Sequence, residues 1–145
     1  MLQIIGDGEE KENLNNLVRK LNMEKQIKIQ PFTNHVEDYY LNSSIFVSSS
    51  RWEGFGLVIT EAMECGVPVV AFKNSGPKEI INKNNENGIL VPCNNINALA
   101  SAILDLITDE DKRKKISKES IERAKDFKIE NIIKQWNDIL NSVNS

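Results

Sequence analysis

Residues 51–70 read RWEGFGLVITEAMECGVPVV, and this stretch decides the fold. Residues 45–50 (IFVSSS) come just before it. Their apolar, β-branched start and polar end predict a strand that runs into a loop. Residues 57–65 (LVITEAMEC) predict a helix, stopped by Gly66 and Pro68. Residues 67–72 (VPVVAF) are continuously apolar, as expected of a strand buried on both faces. The quoted stretch is therefore strand, glycine-rich turn, helix, buried strand.

Outward from there the alternation continues. LQII at 2–5 is a short strand, broken by Gly6, Asp7 and Gly8. Leu14, Leu17, Val18 and Leu21 share one helical face. IKIQ at 27–30 is a strand ended by Pro31, and HVEDYYLN at 35–42 is a short helix. GPKEII at 76–81 predicts one or two helical turns, and GILVP at 88–92 a last strand. Alternating strands and helices predict an α/β domain spanning 1–145, with a parallel sheet and helices on both faces. A helical segment over 95–145 follows without strands. Ile96, Leu99, Ala100, Ile103, Leu106 and Ile107 form one apolar face. Residues 109–125 (DEDKRKKISKESIERAK) predict a solvated helix with its acids at the favoured start. The last helix carries Ile129, Ile132, Ile133, Trp136, Ile139, Leu140 and Val143 in register.

Composition excludes several classes. With 40% hydrophobic and 27% charged residues the chain supports a core under a soluble surface. A net charge of -3 lacks the basic footprint of a nucleic-acid binder. No run approaches the roughly 18 apolar residues that span a bilayer, and no secretory signal is visible, so a cytoplasmic location is expected. Cys65 and Cys93 are far apart in apolar contexts and read as reduced packing residues. His35, the one histidine, stands without a Cys/His cluster, so no structural zinc is expected and a surface place is.

The chemistry concentrates where the sequence turns from strand to helix. Gly54 and Gly56 flank Phe55, so the backbone can turn sharply and approach a ligand closely. A helix starting near Leu57 offers unpaired N–H groups and roughly half a positive charge, a good seat for phosphate. Such a turn alone is a weak signal, since it is neither GxGxxG nor a Walker loop. Two carboxylates add to it: Glu53 before the turn, and Glu61 eight positions later. Carboxylates repel phosphate but accept hydrogen bonds from hydroxyls, which suits a ribose diol or a sugar. Diphosphate at the helix start, ribose at Glu61 and sugar at Glu53 together describe a nucleotide sugar.

Residues 49–70 resemble the family 4 glycosyltransferases, with Glu53 and Glu61 matching that family's E-x7-E motif. IIGDGEEKENL at 4–14, IKIQPF at 27–32, ENGILV at 86–91 and NINALASAI at 95–103 resemble the family in their turn, so the resemblance covers essentially the whole chain. It implies a Rossmann-like domain forming the C-terminal, donor-binding half of a GT-B fold, in a retaining transferase that needs no metal and no cofactor beyond its nucleotide-sugar substrate. By resemblance Glu53 contacts the transferred sugar and is the catalytic carboxylate. Gly54, Phe55, Gly56, Leu57 and Val58 hold sugar and diphosphate through backbone amides, Glu61 binds the ribose, and Phe32 and Thr33 border the base.

The family's donor domain opens with a strand, an Arg/Lys loop for the diphosphate and a helix, none of which precedes LQII. The acceptor-binding domain has no counterpart either, so this chain alone is expected to be inactive. Lys73 and Lys78 near the same sheet edge read as surface lysines. Tyr39 and Tyr40 are expected to pack, Trp52 is a candidate for lining the sugar site, and Glu79 reads as a helix-start carboxylate. The expected donor is a UDP-sugar, and the expected acceptor a glycan or lipid-linked sugar of cell-surface polysaccharide. The full enzyme would then associate peripherally with the inner face of the plasma membrane, and the last helix would favour self-association. The competing readings are a non-catalytic nucleotide-sugar-binding module and a GT-B epimerase relative.

Overall fold

The computed structural model describes residues 1–143, as two compact units. The first, Met1–Val36, is one β-α-β turn. Strand β1 (Leu2–Ile5) pairs in parallel with β2 (Ile27–Gln30), from Leu2 opposite Ile27 to Ile5 opposite Gln30. Gly6, with φ of +145°, turns the chain out of β1 in a region only glycine enters freely. Helix α1 (Lys11–Lys20) ends in a Schellman motif. Asn22 takes φ +53° and donates its N–H to Arg19 O at 3.0 Å, and Met23 donates to Val18 O at 3.0 Å. No residue of this unit is buried. Leu14 and Val18 are half-buried, and Leu17 and Leu21 are about half exposed.

The second unit, from Glu37 on, holds the core. Helix α2 (Val36–Leu41) leads into β3 (Phe46–Ser48), α3 (Leu57–Glu64), β4 (Val69–Phe72), α4 (Ser75–Ile80) and β5 (Ile89–Val91). The strands form a parallel sheet in the order β3-β4-β5, and all four residues of the central β4 are buried. Helices α5 (Ile96–Thr108) and α6 (Glu110–Ala124), a 3₁₀ turn (Lys125–Phe127) and α7 (Ile129–Val143) complete it. Val70, Phe72, Ile89 and Val91 of the sheet pack with Leu106 and Ile116 of the helices. Helix α3 also closes in a Schellman motif. Gly66 (φ +71°) donates to Met63 O at 3.0 Å and Val67 to Ala62 O at 2.9 Å.

Element order and type agree with the sequence reading, and the architecture is α/β, with parallel strands, flanking helices and a C-terminal helical segment. Several details differ. The expected parallel sheet is divided into two ladders, β1-β2 and β3-β4-β5. The inward face of α5 is Leu99, Ala102, Ile103 and Leu106, at i, i+3, i+4, i+7. Ile96, Ala100 and Ile107 are exposed. Helix α6 is more than a solvated helix: Ile116 and Ser120 are fully buried and Ala124 nearly so, while its charges occupy the other faces. Its start is as expected, with Asp109 capping Lys112 N at 2.8 Å and Glu110 and Asp111 in the first turn. Glu79 is not a helix-start carboxylate. Asn74 is the N-cap residue of α4 and Pro77 lies in its first turn, so Glu79 falls in the last.

Cys65 is half-buried and free, its thiol pKa pushed up by burial and then by nearby glutamates. Cys93 is exposed rather than packed, since Pro92 carries the chain out of β5 into a polar turn. There its thiol donates to Asn74 Oδ1 at 2.8 Å. The face of α7 is open, with Ile129, Ile133, Trp136, Leu140 and Val143 all more than half exposed. Among the described residues no helix is long and apolar enough to cross a membrane.

Candidate functional site

The site is built at the end of β3. Ser48 is buried in the sheet, and the chain then leaves through residues 49–56. Asn74, which ends the neighbouring β4 connection, donates its Nδ2 to Ser50 O at 2.6 Å and so anchors the start of this loop. At the far end Gly56 takes φ +98° and ψ +58°, a left-handed conformation that costs an L side chain roughly 1–2 kcal/mol. This single glycine converts loop into helix. Its carbonyl accepts Ile59 N at 2.8 Å, and no side chain caps the first turn of α3. The start of α3 thus keeps donors and the positive end of the helix dipole available, with Leu57 and Val58 exposed beside them.

Glycine is required at a second place that the sequence reading passed over. A β-carbon on Gly76, in the first turn of α4, would lie 2.2 Å from the Phe55 carbonyl oxygen and 2.7 Å from that of Gly54. The loop backbone rests directly on Gly76. Gly54 itself meets nothing within 4 Å on its β-carbon side.

The two carboxylates flank this turn as expected. Glu53 is half-buried, its Cγ packed toward Gly56, where an added β-carbon would meet it at 3.2 Å. Glu61 sits in the second turn of α3, exposed, and its Oε2 accepts the Tyr40 hydroxyl at 3.1 Å. Oε1 accepts no hydrogen bond from the described residues. Tyr40 packs, as expected, with its ring edge-on to Phe46 at 5.6 Å. It also holds Glu61, a pairing no local pattern announces, because the two residues are 21 positions apart. Burial, then the Glu61 charge, pushes the Tyr40 phenol well above its ordinary value, so it stays a donor.

The remaining candidates fall elsewhere. Trp52 stands 85% exposed beside Glu53. Lys73 and Lys78 are exposed, Lys78 in the last turn of α4. Phe32 and Thr33 belong to the first unit, in the turn after β2. The Asp7 carboxylate accepts Phe32 N at 2.7 Å and the Lys11 ammonium, and Thr33 Oγ1 accepts His35 N at 3.0 Å. The Lys11 hydrogen bond, and then the Phe32 amide, holds the Asp7 carboxyl below the usual carboxylate range. Phe32 and His35 are exposed. Among the described residues no three His, Cys, Asp or Glu side chains cluster as metal ligands would.

This loop and helix have counterparts in known proteins. A family model described as glycosyl transferases group 1 matches residues 1–123. The chain belongs to that family. This group 1 transferase chain is 41% identical over 140 residues to an uncharacterized glycosyltransferase of Haemophilus influenzae, covering 96% of the chain and 39% of that relative. It is 33% identical to the amylovoran biosynthesis glycosyltransferase AmsD of Erwinia amylovora, with 97% and 39% covered. Among solved structures, Anabaena HepE in complex with UDP superposes with a TM-score of 0.88 at 28% identity, over 97% of this chain and 40% of HepE. The fold is accordingly that of part of a GT-B glycosyltransferase, and the chain spans about 39% of the length of these curated relatives.

Proposed function

We propose that this chain is the donor-binding part of a retaining family 4 glycosyltransferase. It would take a sugar from a UDP-sugar to a glycan or lipid-linked acceptor in cell-surface polysaccharide synthesis, in the cytoplasm at the inner face of the membrane. The observation that carries this reading is the uncapped start of α3 behind the left-handed Gly56, with a carboxylate on each side of the turn. UDP in the HepE structure and the amylovoran role in the name of AmsD favour the donor and the pathway class.

In this reading the amides from Gly54 to Val58 hold sugar and diphosphate. The α3 dipole, roughly half a positive charge, offsets the charge of the leaving group without a metal ion. Glu61 accepts the ribose hydroxyls. Its Tyr40 hydrogen bond fixes one oxygen and leaves Oε1 for the ligand. Glu53, half-buried and close to the turn, is the catalytic carboxylate facing the transferred sugar. Phe32 and Thr33 are assigned to the base by the family resemblance alone. The 145 residues by themselves bind donor and do not transfer it.

A calorimetric panel of UDP-, GDP- and ADP-sugars tests the reading. Heat with UDP-sugars at millimolar ligand or below, exceeding that of the other two, is expected. Silence from all three contradicts donor binding. Transfer to an acceptor by the purified chain contradicts the division of labour.

A further inference from the structure

The loop that carries Phe55 is held from a direction unrelated to the E-x7-E segment. The Phe55 ring stands edge-on to Phe127, with centroids 5.6 Å apart and planes at 72°. Phe127 ends the 3₁₀ turn after α6, beyond the residues 1–123 that the family model matches. Arg123 lies on the same ring, its Cζ 4.6 Å from the centroid. Each nitrogen of that guanidinium donates one hydrogen bond. Nε donates to Ile80 O at 2.9 Å, Nη2 to Glu79 O at 2.6 Å and Nη1 to Asp126 Oδ2 at 2.7 Å, and the side chain is only 18% exposed. Glu79 and Ile80 end α4, where unpaired carbonyls and the negative end of the helix dipole favour a cation.

Arg123 therefore ties the 3₁₀ turn to the last turn of α4, while Gly76 in the first turn of α4 carries the Gly54 and Phe55 carbonyls. The loop is thus held by α4 through the backbone and by Phe127 through the Phe55 ring. A loop that presents backbone amides to a ligand gains affinity from being held in the bound geometry beforehand.

We propose that Phe127, fixed by Arg123, is a positioning residue for the Gly54–Phe55–Gly56 turn, setting donor affinity without touching donor. The proposal rests on the donor-binding reading for its effect on affinity, but the loop's own order tests it separately.

The experiment compares Phe127→Ala, Phe127→Leu and Phe127→Tyr with the wild-type chain. Three readouts are melting temperature, backbone NMR order parameters of residues 53–58, and calorimetric UDP affinity. For Ala and Leu we expect lower order parameters confined to residues 53–58 and a UDP affinity lower by roughly three- to tenfold, the range an aromatic pair of ordinary strength supports. Tyr restores both. If the Ala variant does not fold, the Leu variant, which keeps most of the volume and loses the ring, carries the same comparison. Unchanged order at 53–58 in a folded Leu variant overturns the proposal. So does order lowered throughout the second unit, and so does a Tyr variant no better than Leu. If the wild-type chain binds no UDP, the donor reading fails, and the order parameters still decide whether Phe127 orders the turn. If UDP binds equally to all variants while the order parameters differ, positioning for affinity is overturned.

Discussion

Helix α1 of the first unit and α3 of the second end in the same six-residue motif, yet one lies over an open surface and the other over a core. Asn22 closes α1 among exposed residues, where a short polar side chain enters the left-handed region at small cost. Gly66 closes α3 where an added β-carbon would meet Ile121 Cδ1 at 3.0 Å and Ser117 Oγ at 3.3 Å. Ser117 Oγ also donates to Gly66 O at 2.6 Å. Local rules shape both units alike. Burial separates them, with no buried residue from 1 to 36 and a fully buried central strand in the second unit.

The largest expected effect is on stability. Leu106→Ala removes a fully buried side chain and should cost about 2–5 kcal/mol in a denaturant melt. Leu17→Ala, at 49% exposure in the first unit, should cost about 1 kcal/mol or less. Equal losses would mean that the first unit buries Leu17 as deeply as the second buries Leu106.

Next is Tyr40→Phe, which keeps the packing on Phe46 and removes only the hydrogen bond to Glu61. A loss of about 0.5–1.5 kcal/mol is expected in the same melts. The pH dependence has a definite sign. The folded pKa of Tyr40 lies above its ordinary 10.0, so its contribution is complete below pH 10 and is lost as pH rises beyond it. Wild type should therefore lose stability above pH 10 more steeply than the Phe variant. Parallel alkaline melts would contradict this.

The smallest effect belongs to the first unit. The folded pKa of Asp7 lies below its ordinary 3.8, so its contribution is present above that pH and fades as pH falls through the folded value. Asp7→Asn should speed exchange of the Phe32 amide at neutral pH, and the difference from wild type should shrink in acid. An Asn variant with wild-type exchange at Phe32 removes Asp7 as the holder of that turn.

Element order was legible because each strand and helix of the chain follows local periodicity and local punctuation, such as Gly6, Pro31 and Gly66. The turn at Gly54–Gly56 and the two glutamates were legible because their chemistry lies within one short segment. What supports that segment was not. Tyr40 reaches Glu61, Asn74 reaches Ser50 and Phe127 reaches Phe55 across long sequence separations, and no periodicity encodes such pairs. Gly76 carried a faint signal, a glycine just inside a short helix, whose reason is the backbone resting on it. The misreadings of α5, Cys93 and Glu79 are of one kind. Each needed the helix rotation, the cap position or the strand end, to within a residue, which tertiary contacts decide.

If the turn between Glu53 and Glu61 recognises a nucleotide sugar, removing Glu61 must weaken it. A calorimetric titration of a UDP-sugar into the wild-type chain and into Glu61→Ala, with melting checked for both, decides this. Glu61 is exposed, so the variant should stay folded. Wild type is expected to bind, with an affinity lower by roughly tenfold or more in the variant, the loss of hydrogen bonds to a charged acceptor. Equal affinity in the two folded chains, or no heat from either, would contradict it.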